Sequence, residues 1–176
     1  MKKIITLFAI VGLIVFSSCE GDEGPPGPPG LLSYVFEVNK VNFSATSNSQ
    51  KYIDFDSRIY SGDVILVYRY DGADAITGRD IWTPLPESHY YDNGSLYFAF
   101  KFDFTQDNIR IFTDGFGLTV NPIPADFVVD QIFRIVIVPG DDGINTKRSV
   151  NKPDYSDYNA VIKKYNIDDS NVKKLN

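Results

Sequence analysis

Of the side chains that carry nucleophilic or acid–base chemistry, this 176-residue sequence offers a single thiol, Cys19, and a single imidazole, His89. One cysteine can form neither an intramolecular disulfide nor a cysteine-based metal site. Ser-His-Asp and Cys-His catalysis would both depend on His89, which sits just before Asp92-Asn93-Gly94 and reads as a histidine packed in a strand. Glycoside hydrolysis needs two carboxylates facing one bond, and nothing in the spacing of the 23 Asp and Glu residues singles out such a pair. Asp71-Gly72-Ala73-Asp74 and Asp141-Asp142-Gly143-Ile144-Asn145 gather hard oxygen ligands. Neither has the spacing of a calcium loop, and turn chemistry accounts for both. Gly115-Phe116-Gly117 lacks a third glycine and a following helix, so it is no nucleotide loop. The expectation is a nonenzymatic protein without metal or cofactor.

Aromatic side chains are the remaining chemical resource. There are 13 Phe and 11 Tyr against a single Trp and a single Met. Tyr68, Tyr70, Trp82, Tyr90 and Tyr97 fall on the expected outer faces of strands. There they could stack on a sugar ring or anchor a protein partner, although packing on the sheet surface is the simpler account of the same residues.

Before any of these comes an export signature. Lys2 and Lys3 precede an apolar run from Ile4 to Phe16, too short for the ~20 residues of a membrane-spanning helix and suited to a signal peptide. Phe16-Ser17-Ser18-Cys19 resembles the lipobox of bacterial lipoproteins, although Phe16 stands where Leu is usual. That resemblance implies cleavage after Ser18 and acylation of Cys19, which would hold the chain in a membrane by its lipid. The acidic residues Glu20, Asp22 and Glu23 look like the signals that send some Bacteroidetes-type lipoproteins to the outer face of the outer membrane. Gly24-Pro25-Pro26-Gly27-Pro28-Pro29-Gly30 has the glycine period of collagen. Two triplets are too few to hold a triple helix, so the stretch is expected to be a polyproline II spacer.

Charge narrows the partners further. Loss of Lys2 and Lys3 from 17 basic residues leaves 15 against 23 acidic ones, a net −8 for the mature chain. Nucleic acid and anionic lipid would be repelled by the folded part.

From Leu31 the hydrophobic period is two. Tyr34, Phe36 and Val38 alternate with Val35, Glu37 and Asn39. Val64 to Tyr70 begins apolar on both sides, as a strand covered on both faces does. His89-Tyr90-Tyr91, Asp92-Asn93-Gly94 and Ser95 to Phe104 spell a β-hairpin. In its second strand Leu96, Phe98, Phe100, Phe102 and Phe104 line one face, which must meet a second layer. A long strand is expected over Phe127 to Val138. Asp154 is the expected cap of a helix whose Tyr158, Val161, Ile162 and Tyr165 repeat at helical spacing.

The fold expected is therefore all-β, an antiparallel β-sandwich, Ig-like or jelly-roll-like, with one C-terminal α-helix. Residues 1–18 are the signal peptide, 19–30 the lipidated cysteine and spacer, 31–167 the domain and 168–176 a frayed tail. As a whole the chain resembles small Bacteroidetes-type lipoproteins with a Gly-Pro-Pro stub and one β-rich domain, a resemblance that brings no activity or site residues with it. The function expected is that of a lipid-anchored envelope protein whose sandwich binds a protein or glycan. The alternatives are a purely structural envelope component and, from another class, a small hydrolase.

Overall fold

The computed structural model describes residues 33–140 and 154–175. Cys19, the signal segment, the Gly-Pro-Pro spacer and the Asp-rich loop from Asp141 to Asn145 lie outside the described residues. Among the described residues are nine strands in two sheets. Strands β1 (Tyr34–Val41), β3 (Val64–Ala73), β4 (Asp80–Pro84), β8 (Gln131–Val138) and β9 (Lys173–Leu175) form one sheet in the order β4-β3-β8-β1-β9. Strands β2 (Gln50–Asp54), β5 (Glu87–Tyr90), β6 (Leu96–Phe104) and β7 (Asn108–Gly115) form the other, in the order β2-β7-β6-β5. A one-turn helix, α1 (Ala125–Val128), precedes β8, and α2 (Tyr158–Tyr165) follows it. The chain is an all-β sandwich with a C-terminal helix.

Two apolar layers explain the patterning. Between the sheets, Phe36, Val38, Val67, Phe133 and Ile135 of one face Ile53, Phe98, Phe100, Ile109 and Ile111 of the other. Each large side chain so enclosed contributes roughly 2 kcal/mol. On the outer face of the five-stranded sheet, Val35, Tyr68, Val136 and Val138 pack under Tyr158 and Val161 of α2. Strands β3 and β8 are therefore apolar on both faces because both faces are covered. Helix α2 lies across a sheet, with Lys163 and Lys164 in its last turn, at the pole that favours cations.

Several expectations need correction. Phe127 and Val128 belong to α1, and β8 begins only at Gln131, because Asp130 has φ 50°, a left-handed conformation that interrupts extended chain. Asp157, not Asp154, caps α2, accepting a hydrogen bond from the Ala160 amide at 3.2 Å. Asp154 instead closes a turn onto Ser156. Of the five apolar residues in one row of β6, only Phe98 and Phe100 are buried, and Leu96 and Phe104 are 41% and 45% exposed. A nine-residue strand spans about 30 Å, and the twisted opposite sheet covers only its middle. The tail is not frayed throughout, since Lys173–Leu175 pairs with Phe36, Glu37 and Val38 of β1. It is the one parallel pair in an otherwise antiparallel architecture of described strands.

Candidate functional site

The structure divides the five aromatic residues singled out by sequence. Tyr68, Tyr70 and Trp82 meet on the outer face of the five-stranded sheet, where the register sets Tyr70 opposite Trp82 with ring centroids 5.5 Å apart. Tyr68 is fully buried beneath α2, edge-on to Tyr158 at 5.2 Å, and its hydroxyl donates to the Tyr155 carbonyl at 2.8 Å. Burial first, then the charges of Asp157 and Asp154, push its phenol well above the ordinary tyrosine value. It has no surface open to solvent. The Arg134 guanidinium lies 4.0 Å from the Trp82 ring, bonds Glu37 at 2.7 Å and donates to the Tyr158 hydroxyl at 2.7 Å. This cluster fastens α2 to the sheet. Tyr90 and Tyr97 belong to the other sheet. Tyr90 is 62% exposed at the end of β5, and Tyr97 lies beside Tyr91 and donates to the Pro122 carbonyl.

His89 is held in a second cluster, inside the sandwich. The hairpin register places it opposite Phe98, on whose ring it stacks at 4.4 Å, so it faces the inner layer. Its Nε2 is 2.9 Å from Glu87 Oε1. Glu87 in turn receives both forks of Arg69 from the opposite sheet, Nε to Oε2 at 2.6 Å and Nη2 to Oε1 at 2.8 Å. Burial alone would raise the Glu87 carboxyl. The hydrogen bonds from His89 and Arg69, with the guanidinium charge, outweigh it and hold the carboxyl at about 2. The contacts are those of an inter-sheet bolt, with His89 wedged between Glu87, Phe98 and Phe127. Among the described residues no group of three or more His, Cys, Asp or Glu is placed to hold a metal ion. Asp74 serves its own turn, accepting from the Thr77 amide and hydroxyl.

A concavity lies at the end of the sandwich where β1 and β3 begin and β2 and β8 finish. It is a cleft of about 280 Å³ whose floor is Phe36, Phe55, Ile59 and Ile137. Tyr34 and Leu175 form walls, and Asp54, Asp56, Ser57, Arg58 and Tyr60 stand around the mouth. Tyr34 and Phe36 are tilted neighbours at 5.7 Å, and Phe36 meets Phe55 edge-on at 6.3 Å. The result is a stepped aromatic surface.

The loop between β2 and β3 is folded into this shape by main-chain bonds. Phe55 and Ile59 donate their amides to the carbonyls of Asp107 and Gln106, both at 2.9 Å, drawing the loop toward the β6–β7 turn. Asp63 accepts from the Tyr60 amide at 2.9 Å and the Gly140 amide at 3.2 Å, tying the end of β8 to the start of β3. Gly140 packs so closely on Gly62 that a Cβ there would lie 2.1 Å from the Gly62 carbonyl oxygen. Arg58 is turned outward, onto Gln106 at 2.8 Å and Asp107 at 3.6 Å. Lys173 of β9 pairs with Asp56.

None of the cleft residues was singled out by sequence. The available signal was Asp54-Phe55-Asp56-Ser57-Arg58, which mixes aromatic, acidic, hydroxyl and basic groups in one connection. Comparison with known proteins adds no assignment: no family model matches, and neither a curated protein nor a solved structure does.

Proposed function

We propose that this protein is a lipid-anchored component of the cell envelope that displays a nonenzymatic sandwich and binds its ligand, a protein segment or a glycan, in the cleft beside Tyr34. The observation that carries the binding role is the cleft itself, a stepped aromatic floor under a mouth of carboxylate and hydroxyl groups. Ligand sites combine a concave, largely apolar surface with a few converging polar groups in this way. The lipid anchor rests on the order of charge, apolar run, small residues and Cys19, and outer-membrane surface display rests on the acidic residues behind it.

Two measurements test the two halves. A Cys19→Ala chain should leave the membrane fraction, and its retention there would contradict the anchor. Tyr34→Ala in the full-length chain should abolish ligand capture while leaving the fold intact, because Tyr34 is 40% exposed and sits at a strand end. Undiminished capture would contradict the cleft.

A further inference from the structure

The chemistry of the cleft points to a more definite ligand. Its floor offers aromatic and aliphatic carbon over an area one small ring can cover, since about 280 Å³ lies just below the usual range for small-molecule sites. At the mouth, acceptors and donors alternate. The carboxylate of Asp54 is exposed and has no side-chain partner among the described residues, and Ser57 and the Tyr34 and Tyr60 phenols can each donate and accept. A ligand that satisfies both parts has one apolar face and an edge of hydroxyls that also donate and accept.

Other ligand classes fit less well. An anion would meet the unpaired carboxylate of Asp54, while two cations beside the cleft are already engaged, Arg58 by Gln106 and Asp107 and Lys173 by Asp56. A purely aliphatic ligand would strip water from the carboxylates without replacing their hydrogen bonds.

Building on the cleft reading above, we infer that the site takes a neutral sugar ring. The C–H face of the ring lies on Tyr34, and its hydroxyls donate to Asp54. Aromatic stacking provides the contact area, and the charged acceptor provides the stronger hydrogen bonds and selects against acidic sugars.

The test uses the full-length chain in mild detergent, with glucose, galactose, N-acetylglucosamine, glucuronate and a Gly-Lys-Gly tripeptide as probes. Saturation-transfer NMR reads binding, and fluorotyrosine signals of Tyr34 and Tyr60 read location. Transfer to at least one neutral sugar, with shifted Tyr34 and Tyr60 signals, is expected. Glucuronate should bind at least tenfold more weakly. Asp54→Asn, at an exposed position that the fold does not rely on, should weaken the neutral sugar by tenfold or more with an unchanged circular dichroism spectrum. Equal binding of glucuronate, or no loss in Asp54→Asn, overturns the assignment. Tripeptide binding at Tyr34 and Tyr60 without any sugar binding overturns the sugar but keeps the cleft as the site. Silence of both tyrosines toward every probe removes the cleft as well.

Discussion

Arg69 and Glu87 face each other across the interior of the sandwich, one from each sheet, joined by two parallel hydrogen bonds at 2.6 and 2.8 Å. Arg69 is 3% exposed, and its guanidinium also lies 5.3 Å from the ring of Phe127. A buried pair is a costly way to hold two sheets together, and breaking it by removing one partner is costlier still. Glu87→Gln is expected to destabilise the domain by about 3–5 kcal/mol, read as a fall in the urea midpoint. Replacing both partners, Arg69→Met with Glu87→Leu, should recover most of that loss. If the single variant proves as stable as the native chain, the pair holds nothing.

The same carboxyl sets an acid limit. Its folded value of about 2 lies below the ordinary 4.5, so ionised Glu87 favours the folded state. A depressed group contributes fully above its unfolded value, and the contribution disappears as pH falls through its folded value. Stability should therefore decline between about pH 4.5 and pH 2, with Glu87 supplying on the order of 3 kcal/mol of the change. Denaturation midpoints across this window should fall steeply for the native chain and less steeply for Glu87→Gln.

Gly140 supports the cleft from behind. Its missing side chain lets the end of β8 touch Gly62, and a Cβ at 2.1 Å from backbone oxygen cannot be accommodated without moving one strand end. Gly140→Ala is expected to cost about 1–3 kcal/mol and to disturb the Tyr60–Asp63 turn. Wild-type melting behaviour would show that the two segments part easily.

The C-terminal strand is a wall of the cleft. Leu175 lines it, while Lys173 pairs with Asp56 and Lys174 reaches Glu37 at 3.5 Å. Ending the chain at Val172 should leave the fold standing, because the main cores lie elsewhere. It should also expose the Phe36 and Val38 amides to hydrogen exchange at least tenfold faster and weaken ligand binding. Unchanged exchange would mean that β9 adds nothing to the β1 edge.

How much of this was legible depended on the range of the interaction. The Asn93-Gly94 turn and the two-faced apolar run of β3 declare themselves locally. So does the stripe of Tyr158, Val161, Ile162 and Tyr165, and all three stand in the structure. Strand β9 did not, because Lys173-Lys174-Leu175 has no strand pattern of its own and is ordered by the free edge of β1. Asp130 looked like one polar residue within a strand, and only its left-handed backbone reveals the break. Arg69 is one polar position in an apolar strand and Glu87 follows Pro86 outside any strand the pattern marks, so it takes the packing of the two sheets to bring them together. Tyr68 looked like a surface aromatic until α2 covered it. The cleft draws on Tyr34, the β2–β3 loop, Ile137 and Leu175, positions that share no local pattern.

The most direct test of the central claim is a map of backbone amide shifts in the full-length chain as a neutral hexose is added. The cleft account predicts saturable changes confined to Tyr34–Phe36, Asp54–Asp63 and the neighbouring residues of β8 and β9, with Tyr70, Trp82 and Tyr90 unmoved. Changes centred on Trp82 and Tyr70, with the Asp54–Asp63 loop unmoved, would contradict it.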